Sequence, residues 1–161
     1  MPWLLRYPDS ASRGYELAWH LGTELNILAR MVRGNKMRRA TALFEEFGAA
    51  MQFPDYFGAN WPALGECLSD LSWMPGKAYA VVVTRAEQVL REEPIEMLGL
   101  LADLFAKVAS TWAVSIRKGE AWGRPEVPFH FVLQVAPQNN DEFSSRWGAL
   151  GVDIGEITRS N

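Results

Sequence analysis

Tyr79-Ala-Val-Val-Val-Thr84 is a continuous apolar run rich in β-branched residues. It lacks the alternation of a strand with one wet face, which suits a strand covered on both sides, as the central strands of parallel sheets are. A second run of this kind, Phe129-His-Phe-Val-Leu-Gln-Val135, follows some forty-five residues later. Between them lies a helical pattern from about Ile95 to Trp112, with Met97, Leu98, Leu101, Leu104, Phe105 and Val108 on one side. Upstream, Leu25, Ile27, Leu28, Met31 and Val32 fit a short strand, Gly34-Asn35 supplies a turn, and a helix is expected from about Arg38 to Met51, stopped by Pro54. The order β–α–α–β–α–β implies an α/β fold: a small parallel sheet of about three strands, flanked by helices and joined by right-handed crossovers. Residues 113–128, with Gly119, Gly123, Pro125 and Pro128, read as a long surface connection.

The chain has 161 residues, 48% of them hydrophobic and 22% charged, with seven Trp and eight Phe, which is enough to fill one core and supports a single domain over 1–161. The recognisable unit runs from about 25 to 135. The segments before Glu24 and after Asn139 read as elaborations, either of which could lie on the sheet edge. No apolar run is long enough to span a bilayer, and Met1-Pro-Trp-Leu-Leu-Arg6 lacks the basic start and apolar stretch of a signal peptide, so a cytoplasmic location without membrane association is expected. One cysteine, Cys67, and two histidines, His20 and His130, argue against disulfides and metal sites, so no metal is expected.

Phe53-Pro-Asp-Tyr-Phe-Gly-Ala-Asn60 leads into Trp61-Pro-Ala-Leu-Gly-Glu-Cys-Leu-Ser-Asp70. Asn60 is a strong N-cap and Pro62 sits in the first turn, where its missing N–H costs little, so a helix is expected to start there. Leu64, Cys67, Leu68 and Leu71 form one apolar stripe at i, i+3, i+4 and i+7, which leaves Glu66 and Asp70 on another face. Cys67 therefore reads as a packing thiol. No glycine-rich phosphate loop, Ser-His-Asp order or metal-ligand spacing is present, so an enzyme has no residues to stand on and no cofactor is expected.

The net charge of −3 is unevenly spread. Arg30, Arg33, Lys36, Arg38 and Arg39 form a basic cluster, while Asp55 to Asp103 hold eight acids against three bases. Direct nucleic-acid binding by the cluster is disfavoured, because the rest of the chain is acidic and no aromatics interleave with the cations.

The motif from Phe53 to Asn60, followed by Ala63-Leu64 and Glu66-Cys67-Leu68, resembles the barstar family of ribonuclease inhibitors. The resemblance extends loosely from Leu25 to about Val135. It implies an intracellular inhibitor, monomeric alone and 1:1 with its target, that occludes the basic active site of a ribonuclease or related toxin. It also implies that Tyr56, Phe57, Gly58, Asn60 and Glu66 are partner-binding residues, with Glu66 the main charge. Trp61, Gly65 and Asp70 join them by position around that plug. Pro62, Gly65 and Lys107 depart from the family, standing near an acid, a large aromatic and another acid. The alternative expectation is a non-inhibitory protein-interaction module with the same fold.

Overall fold

The computed structural model describes residues 2–116 and 123–158. Five parallel strands form one sheet: β1 (Leu4–Tyr7), β2 (Leu28–Arg33), β3 (Tyr79–Thr84), β4 (Phe129–Gln134) and β5 (Gly155–Glu156), in the order β2-β3-β4-β1-β5. Five α-helices connect them: α1 (Ala11–Glu24), α2 (Ala40–Ala50), α3 (Trp61–Asp70), α4 (Ile95–Trp112) and α5 (Asn140–Trp147). The expected α/β parallel sheet is present, but the strand number is five rather than about three. The two extra strands come from the terminal segments. β1 is inserted beside β4, with Leu4 opposite Phe131 and Tyr7 opposite Gln134, and β5 pairs on its far side through Leu5 and Arg6.

β3 is buried at all six positions because β2 and β4 pair along both of its edges and helices cover both faces. On one face α2, α3, α4 and α5 meet the sheet through Leu43, Phe47, Leu64, Leu68, Leu101, Phe105 and Trp147. Phe105 stacks on Phe131 at a centroid distance of 3.8 Å. On the other face α1 lays Leu17, Ala18 and Leu21 on Leu5, Tyr7, Val82 and Val132. The expected connection over 113–128 includes residues 117–122, which lie outside those described.

Gly34 opens the turn after β2 with no room for a Cβ against the backbone of Thr84 and Arg85, which explains the glycine in the Gly34-Asn35 pair. The neighbouring basic cluster is largely engaged within the fold. Arg33 makes a two-pronged pair with Glu46 at 2.7 and 3.0 Å, and Arg39 bonds Glu92 at 2.8 Å. Hydrogen bonding to Arg33 holds the Glu46 carboxyl below its ordinary value of 4.5, against an opposing effect of burial. A carboxyl depressed in the folded state stabilises above the unfolded value and loses that contribution as pH falls through the folded one. Replacing Glu46 with Gln is therefore expected to cost on the order of 1 kcal/mol at neutral pH, kept small by the exposure of Arg33. Denaturant melts should show the gap between the two proteins closing as the pH drops below 4.5. A gap independent of pH would mean that the ion pair is not its source.

Candidate functional site

The site is built on α3 and the loop before it. Asn60 caps the helix as expected: its Oδ1 accepts the Ala63 N–H at 2.8 Å, and its Nδ2 donates to the Gly58 carbonyl at 3.3 Å. At the other end Leu71 closes the helix in the left-handed region, φ 47°, its N–H bonded to the Cys67 carbonyl. The left-handed residues of the preceding loop are Gln52, φ 51°, and Ala59, φ 49°, and not Gly58. A Cβ on Gly58 would instead press on Asn60 Nδ2 at 3.1 Å, so the missing side chain makes room for the cap.

The loop aromatics divide between packing and exposure. Phe57 turns inward against Phe53, with centroids 4.7 Å apart, and Trp61 meets Phe44 edge-on at 5.1 Å. Trp73 fixes the loop from below by donating its indole N–H to the Met51 carbonyl at 3.0 Å. Tyr56 is left 70% exposed. Partial desolvation, then the nearby Asp70 carboxylate, raise its phenol above the usual value.

The stripe Leu64, Cys67, Leu68 and Leu71 is buried, and Glu66 and Asp70 are exposed on the outer face. Among the described residues neither carboxylate forms an ion pair. Three hollows adjoin this face, and Glu66 lines all of them. The smallest, about 200 Å³, lies between Tyr56, Ala63, Cys67 and Asp70. A groove of about 520 Å³ separates α3 from α4 and is walled by Trp61, Pro62, Ser69, Asp103, Leu104 and Lys107. Gly65 opens this groove: a Cβ there would make only ordinary contact with Leu104, 3.8 Å away, so helix packing does not demand glycine. The third hollow, about 1020 Å³, runs past Ser69 and Asp70 to Tyr79, Trp112 and Arg124. The Arg124 guanidinium is held over the Trp112 ring at 4.3 Å and donates to the carbonyls of Thr111, Trp112, Val114 and Pro125. Its hydrogen bonds are spent on backbone rather than on Glu66 or Asp70.

Asp103 and Arg124 as walls of the site escaped the sequence reading, in which Lys107 stood only as a departure from the family and Leu104 only as an apolar residue of α4. Only the packing of α4 alongside α3 brings them to Glu66, and no local spacing signals it. Cys67 is 4% exposed, and burial, followed by the Asp70 and Glu66 charges, pushes its thiol up and keeps it protonated at neutral pH. His20 lies on α1 beside Glu24, and His130 on β4 beside the Pro2 carbonyl. Cys67→Ser is expected to lower stability by about 1–3 kcal/mol, because a hydroxyl would enter an apolar stripe. A thermal melt superimposable on the parent's would show that this position tolerates polarity.

Residues 27–134, about two thirds of the chain, match the family profile described as Barstar (barnase inhibitor). The chain belongs to the barstar family. The profile is named for a protein that inhibits another protein, so a protein partner follows in general terms. No curated protein sequence matches the chain. Among solved structures it is similar to the ORC2 protein of Aeropyrum pernix, solved as ADPNP-ADP complexes, at 11% identity and a TM-score of 0.58, covering 95% of this chain and 40% of that one. A Drosophila ORC structure bound to DNA aligns at 9% identity and a TM-score of 0.50, over 97% of this chain and 80% of that one. Another Drosophila ORC structure, bound to AT-rich DNA and Cdc6, has 10% identity, a TM-score of 0.49 and coverage of 96% of this chain. This chain spans less than half of that Drosophila chain and of the A. pernix chain. At such identities the likeness concerns the fold alone. It extends over the terminal segments that the family profile leaves out, consistent with their place in the sheet. Among the described residues no helix is long and apolar enough to cross a membrane, and no cluster of His, Cys, Asp and Glu could hold a metal ion.

Proposed function

We propose that this barstar-family protein inhibits a ribonuclease, or a related toxin with a basic active site, by seating α3 and the 54–60 loop over that site. The observation that carries the proposal is the placement of Glu66, exposed, without an ion-pair partner among the described residues, and at the junction of three hollows. A ribonuclease that grips a polyanion must present cations around the scissile phosphate, and a carboxylate on a rigid helix offers them a substitute. Rigidity comes from the Asn60 cap at one end and the left-handed Leu71 at the other, so little ordering entropy remains to be lost on docking. Asp70 adds a second charge one turn on, and Tyr56 supplies an exposed ring of the kind that anchors interfaces. The partner is expected to bind 1:1.

Gly65 and Lys107 favour a target surface unlike that of the best-known ribonuclease. The groove they help to line is open to receive a side chain from the partner, and Lys107 places a positive charge in it. The same observation keeps the second reading, a protein-interaction module without inhibitory action. Titrating the chain into a secreted bacterial ribonuclease acting on RNA separates the two. Inhibition complete at equimolar ratio, with association slowed by added salt, is the expected result. A complex that forms while RNA cleavage continues would select the module and sink the inhibitor.

A further inference from the structure

The outer side of α1 lies outside the segment that the family profile matches, and α1 covers the sheet face opposite α3. The helix turns Leu17, Ala18 and Leu21 to the sheet and leaves Tyr15 and Trp19 60% and 62% exposed. One turn apart, these two rings stand side by side. Ala11 and Ser12 precede them and Gly22 and Thr23 follow them on the same side of the helix, so a stripe about 18 Å long carries two aromatics in its middle, small residues at both ends and no charge. Its hydroxyl groups are engaged nearby: Thr23 donates to the Trp19 carbonyl at 2.9 Å, and Ser12 meets Ser10 at 3.0 Å.

The charges of α1 lie on its remaining flank and are spent on one another. Arg13 pairs with Glu16, and His20 Nδ1 meets Glu24 at 2.9 Å. The helix therefore offers no strong charge of one sign to a polyanion or to a basic surface. The backbone next to it is stoppered as well. β2 is the free edge of the sheet, and since the Leu28 N–H turns inward to the Ala78 carbonyl, Ala29, Met31 and Arg33 turn their main-chain groups outward. The Ala29 carbonyl accepts from the Arg30 guanidinium at 3.1 Å, and the Arg33 N–H donates to the Glu46 carboxylate at 3.0 Å. Such plugs work against an added strand, so what meets this part of the molecule meets side chains.

An uncharged surface with aromatics in the middle and small residues at the ends is matched by the stripe itself. When two copies lie antiparallel about a two-fold axis, Tyr15 of one opposite Trp19 of the other, symmetry repeats that contact and sets Ser12 opposite Gly22 and Ala11 opposite Thr23. The rings form two aromatic pairs, and the small residues let the helices approach. Gly22 suits this contact and is not demanded by the fold: a Cβ there would meet only the Ile27 carbonyl, at an ordinary 3.8 Å, and glycine weakens a helix. The uncovered area of the two rings, roughly 250 Å² per copy, is well under the standard interface of about 800 Å² per partner, which suits a reversible dimer and not a permanent one.

We propose that α1 is the contact of a reversible homodimer, formed by antiparallel two-fold packing of the Tyr15 and Trp19 stripes of two copies. The monomeric state that the family resemblance implies concerns residues from about 25 to 135 and does not extend to α1. The α3 faces lie across the sheet from the contact, so the dimer presents two of them whatever they bind.

The test is sedimentation equilibrium of the intact chain from about 10 μM to about 1 mM, the range for an interface of this size. The average mass is expected to rise from that of one chain toward that of two and no further. No ion pair crosses the contact, so about 0.5 M sodium chloride is expected not to weaken it. Trp19→Ala, at an exposed position, is expected to weaken dimerisation at least about tenfold. Tyr15→Lys and Trp19→Glu are each expected to be monomeric alone and to form a heterodimer when mixed, because the two-fold register sets the new charges opposite one another and keeps the second ring pair. A one-chain mass up to the highest concentration would overturn the proposal, as would dimerisation unchanged in Trp19→Ala or lost in salt. Failure of the mixed variants to associate, or a mass climbing past two chains, would rule out the closed two-fold contact.

Discussion

Glu66→Ala is expected to weaken binding of the proposed ribonuclease partner by at least about 2 kcal/mol, roughly 30-fold in Kd, while leaving the fold unchanged. Hot spots lie near the centre of an interface, in places that become fully desolvated, and Glu66 is the residue common to all three hollows of the α3 face. Its side chain is exposed in the free protein, so truncation removes no core contact. The loss should appear mainly in the dissociation rate if the carboxylate is desolvated in the complex, and mainly in the salt dependence of association if it stays at the rim. Glu66→Gln separates charge from shape: a phosphate decoy requires the isosteric amide to lose most of the affinity as well. Surface plasmon resonance on both variants measures this, and an alanine variant that binds like the parent removes Glu66 from the interface.

Trp147→Ala is the substitution expected to cost most in stability, about 3–5 kcal/mol, the range for removing a large buried aromatic. Trp147 is 0% exposed, lies against Phe143 at a centroid distance of 6.0 Å and donates its indole N–H to the Ala86 carbonyl at 3.0 Å. Truncation would therefore leave both a cavity and an unpaired buried carbonyl in the turn after β3. Next to it, Arg146 bonds three further carbonyls of the same connection, so α5 is tied to the centre of the sheet. Urea denaturation should show a lower midpoint with an unchanged slope. If the C-terminal segment were an appendage, the change would stay within about 0.5 kcal/mol, as surface substitutions do.

Much of the α3 face was legible because its signals are local. Asn60 and Pro62 announce a helix start through the chemistry of its free N–H groups, and a stripe at helical spacing states which side is buried and therefore that Glu66 and Asp70 are not. The roles of Phe57 and Trp61 were not legible in this way. An aromatic in a loop can turn in or out, and it is Phe53 and Phe44, from another turn and another helix, that draw these two inward.

Composition and periodicity alone determined the parallel α/β class and the β2, α2, α3, β3, α4, β4 succession, because each of these is written in the spacing of neighbouring residues, whereas the partner-binding role of the acidic helix came from the family resemblance. Tertiary structure alone decided the width of the sheet and the walls of the hollows around Glu66. Leu4–Tyr7 is four residues long, too short for a period to show, and it becomes a strand inside the sheet because β4, more than a hundred residues away, supplies its hydrogen bonds and buries Leu4. A hydrogen-bond partner that far along the chain leaves no trace in the local pattern, which is why the terminal segments read as ornament until the sheet placed them.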